Sequence, residues 1–195
     1  MRIVTGRAVP LDRSDVDTDQ IISSDWLKRV ERTGFGAGLF SEWRDDRAFV
    51  LNQPEYAGAN VLLAGPNFGT GSSREHAVWA LFDYGFEAVV SPRFADIFRN
   101  NSTKEGLVPV EVAPELGRAL LDAVQDDPSL ELTIDVAART IEAPAAGLAG
   151  PFTLDEFTRE RLLNGWDDIG LTLRHEGDIS SYEKSRLAWM PTAST

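Results

Sequence analysis

Apolar positions along the chain follow two rhythms. Between Asn60 and Val124 they form short solid runs that alternate with helix-spaced sets. Asn60-Val-Leu-Leu-Ala64, Ala88–Val90 and Val108–Val112 are runs of the kind buried in a sheet. Between them, Ala77, Val78, Leu81 and Phe82 recur at helical spacing within Ser73–Tyr84, and Gly85 is placed to end that helix in a left-handed cap. Phe94, Ile97 and Phe98 predict a second helix. Leu116, Leu120 and Val124 predict a third, ended near Pro128. The order is β-α-β-α-β-α.

The period then changes to two. Leu130, Leu132, Ile134 and Val136 alternate with Glu131, Thr133 and Asp135, which predicts a half-exposed strand with a hairpin partner around Ile141. Upstream, Met1–Val9 reads as a strand, and Pro10 opens a loop holding Asp12, Asp15, Asp17 and Asp19. The segment KRVERTGFGAGL, Lys28 to Leu39, combines three basic residues with three glycines and is expected to be a mobile connection. The C-terminal part predicts short helices, with Ile179, Tyr182 and Leu187 on one helical face and a frayed end from Pro191. No repeat is visible. The expectation is one α/β domain over 1–195, with parallel units, some antiparallel pairing and an extension over about 177–195.

Composition narrows the chemistry. There is no cysteine among the 195 residues, so this chain holds no disulfide, catalytic thiol or thiolate-bound metal of its own. Nineteen Lys and Arg against 31 Asp and Glu give a net charge of −12, which argues against nucleic acid and anionic membranes as partners. The N-terminus lacks the apolar block of a signal peptide. The longest uncharged run, Tyr56 to Ser73, is broken by glycines and Pro66, so it cannot span a membrane; a cytoplasmic protein is expected.

The densest chemical signal is Asn67-Phe-Gly-Thr-Gly-Ser-Ser-Arg-Glu-His76, between a predicted strand and a predicted helix. Strand ends of that type collect ligands beside helix N-termini. Gly69 and Gly71 would let the backbone approach an anion, and Arg74 would grip a carboxylate or phosphate. Ser72-Ser-Arg-Glu75 is equally a capping box whose hydroxyl and carboxylate serve only the helix start. Gly65 to Ser73 loosely follows a nucleotide-binding phosphate loop but lacks its lysine. A hydrolase nucleophile elbow is absent, and His76 reads as a packing residue.

The run NFGTGSSREHAVWAL, preceded by DVDTDQII and RTGFGAGLF and followed by YGFEAVVSPRFADIF and NGWDDIGLTLRH, resembles the small subunits of 3-isopropylmalate dehydratase, in the aconitase superfamily. GSSREH belongs to the superfamily as a whole, and the flanking segments favour the leucine-pathway subunit. The resemblance implies a swivelling β/β/α domain, like the mobile last domain of aconitase. This domain closes over a 4Fe–4S cluster held by a separate, cysteine-containing large subunit. The implied reaction is the dehydration and rehydration that interconverts 2- and 3-isopropylmalate, both small dicarboxylates.

By the same resemblance Ser72 is the base, acting as an alkoxide, and Ser73 and Arg74 bind substrate carboxylate. A helix N-terminus, glycine N–H groups and Arg74 would favour a negative Ser72 oxygen. Asp19, within Thr18-Asp-Gln-Ile21, matches an active-site aspartate of aconitase; a loop-capping carboxylate is its other reading. Substrate choice is assigned to the loop Trp26–Thr33, with Val30 facing the isopropyl group and Thr33 beside it. Arg29 and Arg32 flank Val30, and a shift of one or two positions would favour a tricarboxylate. Related hydro-lyases acting on citraconate, methylmalate or homoaconitate, and a phosphate-binding module without lyase activity, are the competing functions.

Overall fold

The computed structural model describes residues 2–28, 33–72 and 74–187. The chain divides into two units, Met1–Gly165 and Trp166–Thr195. Among the described residues the first unit contains seven strands closed into a barrel. These are β1 (Ile3–Leu11), β2 (Val61–Ala64), β3 (Ala88–Ser91), β4 (Val108–Val112), β5 (Glu131–Asp135), β6 (Thr140–Ala143) and β7 (Leu148–Thr153), and they run around it in the order β1-β2-β3-β4-β7-β6-β5. Its helices are α1 (Thr18–Ile21), α2 (Ser41–Arg44), α3 (Glu75–Tyr84), α4 (Asp96–Glu105), α5 (Pro114–Asp126) and α6 (Glu156–Asn164).

Two strands make the corners. The first half of β1 pairs antiparallel with β5, Ile3 opposite Asp135 to Arg7 opposite Glu131, and its second half pairs parallel with β2, Ala8 opposite Val61 to Leu11 opposite Ala64. β7 likewise pairs with β6 over Leu148–Pro151 and with β4 at Phe152 and Thr153. Strands that switch partners join a parallel sheet (β1, β2, β3, β4) to an antiparallel one (β5, β6, β7). Pro10 belongs to β1 and does not open the loop as expected. It lies in the half of the strand that β5 does not pair, so its missing N–H breaks no ladder bond there.

The two rhythms of the sequence map onto these sheets. Every residue of β2 and β3 is buried: Val61, Leu63, Ala88 and Val90 join the core with α5, while Leu62, Ala64 and Val89 join a second core under α3 and α4. In β5 only Leu132 and Ile134 are buried and their neighbours face outward. The predicted β-α-β-α-β-α order is present as β2-α3-β3-α4-β4-α5, and Gly85 ends α3 at φ +113°. The hairpin partner is β6, with Ile134 opposite Ile141. Barrel closure and β7 were beyond the periodicity.

The glycine-rich stretch after Thr33 is packed, against expectation. Phe35–Gly38 forms a single 3-10 turn with Phe35, Gly36 and Gly38 buried. A Cβ on Gly36 would lie 2.8 Å from the Tyr84 backbone nitrogen, and one on Gly38 would lie 2.4 Å from the Trp26 ring. These glycines admit close neighbours. Arg29 and Arg32 lie outside the described residues.

The second unit contains α7 (Asp168–Leu173) and α8 (Glu176–Ser185). Asp167 caps α7 by accepting from the Gly170 N–H at 2.6 Å, and the Arg174 guanidinium sits 4.1 Å from the Trp166 ring centroid. α8 carries Ile179 and Tyr182 but ends at Ser185, so Leu187 lies beyond the helix on which it was expected. No helix among the described residues is long and apolar enough to cross a membrane.

Candidate functional site

The carboxyl ends of β1, β2 and β3 are where the parallel sheet gives way to the acidic loop, the glycine-rich loop and the loop into α4. These loops continue the sheet beyond its strands. Asp17 bridges Thr70 and Phe68 bridges Phe94, both in the parallel sense. The Thr18 N–H donates to the Thr70 carbonyl (2.8 Å), the Gly69 and Thr70 N–H groups both donate to the Val16 carbonyl (2.8 and 3.2 Å), and Phe68 N–H donates to the Arg93 carbonyl (3.1 Å). Asn67 Nδ2 donates to Asp15 Oδ1 at 2.7 Å. The buried Ser91 hydroxyl lies 2.7 Å from the Gly65 carbonyl and 2.8 Å from that of Arg93. At the start of the acidic loop Arg118 of α5 donates to both oxygens of Asp12 and to Asp122. Those bonds raise its pKa above the ordinary arginine value.

This zippering explains two departures from the expected site. The loop is pinned against residues 16–18, and the Ser72 carbonyl accepts from the Thr18 hydroxyl at 2.9 Å. The chain is therefore held out of helical geometry, and α3 starts at Glu75 with Arg74 as its N-cap residue and no side-chain cap bond. Ser72 is not the cap. The capping box is instead on α1, where Asp17 Oδ1 accepts from Gln20 N–H (2.8 Å) and Gln20 Oε1 accepts from Asp17 N–H (3.0 Å). Its Asp-x-x-Gln spacing was readable in the sequence but was eclipsed by Ser-Ser-Arg-Glu.

Gly69 is the second departure. Its N–H is taken by Val16, and at φ +79° its missing Cβ would lie 2.2 Å from the Phe98 ring, so its lack of a side chain serves loop packing. The Phe68, Gly69 and Thr70 N–H groups are all engaged within the protein. Gly71, at φ +91°, lines the pocket.

That pocket has a volume of about 250 Å³ and is lined by Thr18, Gly69, Gly71, Ser72, Arg74 and residues 95–98 of the α4 start. The hydroxyl of exposed Ser72 has no hydrogen-bond partner among the described residues. Arg74, its side chain 19% exposed, forms an ion pair through Nη1 with Asp19, whose side chain is 57% exposed. Ala95 to Phe98 bring a second helix N-terminus to the wall, a contribution sequence reasoning missed; the signal was the position of Phe94-Ala-Asp-Ile-Phe98 just after a β3 that parallels β2.

Thr18 was also missed. It is 2% exposed, and its hydroxyl is committed to the loop. Of the other expected residues, Ser73 and Val30 lie outside the described residues. Thr33 is exposed and does not line this pocket. His76 packs on Phe35 (ring centroids 5.3 Å apart) and Trp79 (4.6 Å), as a packing residue would.

Comparison with known proteins places this arrangement. Residues 1–115 match the model of the aconitase C-terminal domain, and residues 168–193 match that of the C-terminal domain of the 3-isopropylmalate dehydratase small subunit. The curated small subunit of 3-isopropylmalate dehydratase from Frankia alni is 66% identical over 98% of this chain and 97% of its own. That from Rubrobacter xylanophilus is 60% identical over the same shares. The crystal structure of 3-isopropylmalate dehydratase from Methanocaldococcus jannaschii superposes with a TM-score of 0.68, at 27% identity, covering 93% of this chain and 99% of that one. By sequence over nearly its whole length and by fold, the chain belongs to the family of 3-isopropylmalate dehydratase small subunits.

Proposed function

We propose that Ser72 is the base and Arg74 the carboxylate grip of a two-subunit hydro-lyase that interconverts 2- and 3-isopropylmalate in leucine biosynthesis. The observation that carries the reading is that Ser72 and Arg74, two residues apart in sequence, line one pocket at the carboxyl ends of parallel strands. A free hydroxyl is a poor base. Ser72 lies beside the N-terminal ends of α3 and α4 and near a guanidinium. All three favour a negative oxygen once water is excluded. With no bond to a described residue, the Ser72 oxygen, once it has lost its own proton and stands as the alkoxide, can take a proton from the substrate carbon. Arg74, with further guanidinium N–H donors beyond the one on Asp19, binds a substrate carboxylate in the fork geometry that lysine lacks.

The chain has no thiolate, and no group of three or more His, Asp or Glu among the described residues could hold a metal, so its own side chains do not fit a 4Fe–4S cluster. The cluster belongs to the cysteine-containing large subunit, where it supplies a Lewis acid for the substrate hydroxyl. This chain contributes the opposite wall of the site, in the cytoplasm. Val30 is proposed to meet the isopropyl group and Ser73 to assist Arg74.

The test is reconstitution: co-expression with the large subunit, restoration of the cluster without oxygen, and assay with 2-isopropylmalate. Ser72→Ala is expected to lower turnover by about a thousandfold, the middle of the range for loss of a general base, while subunit assembly survives. Near-normal turnover in that variant overturns the assignment. The chain by itself is expected to be inactive.

A further inference from the structure

Asp19 is a poor candidate for direct substrate binding, because its carboxylate would face the carboxylates of a dianion. What it touches is Arg74. Its neighbour Thr18 touches Ser72, through the hydroxyl and the Ser72 carbonyl. Two consecutive residues of one short helix thus reach the two ends of the Ser72–Arg74 segment, across sequence separations of 54 and 55. The helix itself is fixed. Its capping box closes both ways, the Thr18 N–H is tied to Thr70, and Ile21 and Ile22 are fully buried.

The geometry points to Thr18 and Asp19 as positioning residues: α1 is a template that sets the base and the carboxylate grip at a fixed separation. Thr18 orients the peptide that follows Ser72. Asp19 holds one edge of the Arg74 guanidinium and leaves its other donors for the substrate. The Arg74 side chain, 19% exposed, is thereby preorganised.

This inference rests on the roles proposed for Ser72 and Arg74. The reconstituted two-subunit enzyme tests it by splitting the kinetic constants. Asp19→Ala is expected to raise KM for 2-isopropylmalate about tenfold with kcat within about twofold, and Asp19→Asn, which keeps an acceptor oxygen, to raise it less. Thr18→Val is expected to lower kcat about tenfold with KM within about twofold, and Thr18→Ser to restore it. Melting temperature and subunit assembly should change little in all four.

A fall in KM for Asp19→Ala, which would make Asp19 a competitor of the substrate, overturns the proposal. So does a joint change of both constants that follows a loss of melting temperature, or no change in either. Ser72→Ala measured in parallel separates the two levels. If it remains active the site assignment fails, and if it is inactive while the split is absent only the positioning roles fail.

Discussion

The two halves of the barrel are made of the same seven-strand closure yet do different work. The parallel half buries both faces of β2 and β3 and sends its chain through long connections, whose loops meet at one end of the sheet. The antiparallel half buries one face and turns back at once. Between β5 and β6 the Asp135 carboxylate accepts from the Ala137 and Ala138 N–H groups at 2.8 and 2.9 Å, and the connection is finished. A tight turn has its polar groups satisfied internally and no room for a ligand. A crossover connection leaves a helix N-terminus and a loop at each strand end, which is where the pocket lies.

Stability measurements should expose the same contrast. Alanine at each of Val61, Leu62 and Leu63 in β2 is expected to cost about 2–4 kcal/mol in denaturant titrations, because every position is core. In β5 the cost should alternate, with Leu132→Ala in that range and Thr133→Ala, on the outer face opposite Glu142, within about 0.5 kcal/mol. An equal cost at Thr133 would break the comparison.

Glycines sharpen it next. Gly69 and Gly147 share a left-handed backbone, at φ +79° and +65°, but Gly69 faces the Phe98 ring whereas Gly147 has open space. Gly69→Ala should therefore combine backbone strain with overpacking, about 3 kcal/mol, against about 1 kcal/mol for Gly147→Ala. Melting curves of the two variants check this.

An effect of the size expected for Gly147→Ala belongs to α6, which follows β7. Asp155 caps it by accepting from Thr158 N–H at 2.9 Å. Burial pushes the Asp155 pKa up, but the Thr158 hydrogen bonds and the Arg99 charge outweigh it and leave it below the ordinary carboxylate value. The carboxyl is thus charged more readily folded than unfolded, so its contribution is present above the ordinary carboxylate pKa and fades as pH falls through the folded value. Asp155→Ala is expected to cost about 1 kcal/mol at neutral pH and nothing in strong acid.

What the sequence made legible follows the same division. Solid runs and helix-spaced sets identified β2, β3, β4 and the helices between them, because burial on both faces leaves an unmistakable apolar signature. The segment holding Ser72 and Arg74 was also visible, since its glycines fall between a strand and a helix. The start of α3 was misplaced because a capping box is a local rule. The bonds that pin the loop at Ser72 come from residues 16–18, more than fifty positions away. The same reason hid Thr18 and the α4 start. β7, Leu-Ala-Gly-Pro-Phe-Thr, gave no alternation to read, because Gly150 sits close to Leu116 and the strand changes partners midway.

The corner strands carry a consequence for assembly. Since β1 and β7 each close the ring, every strand of the barrel among the described residues has a neighbouring strand on both sides, so none is an edge strand. On the proposed reading, a large subunit that completes the active site is expected to meet this barrel elsewhere than at a strand edge. Loops and side chains are then what the partner is expected to recognise, and the proposed site's own loops are available for that contact.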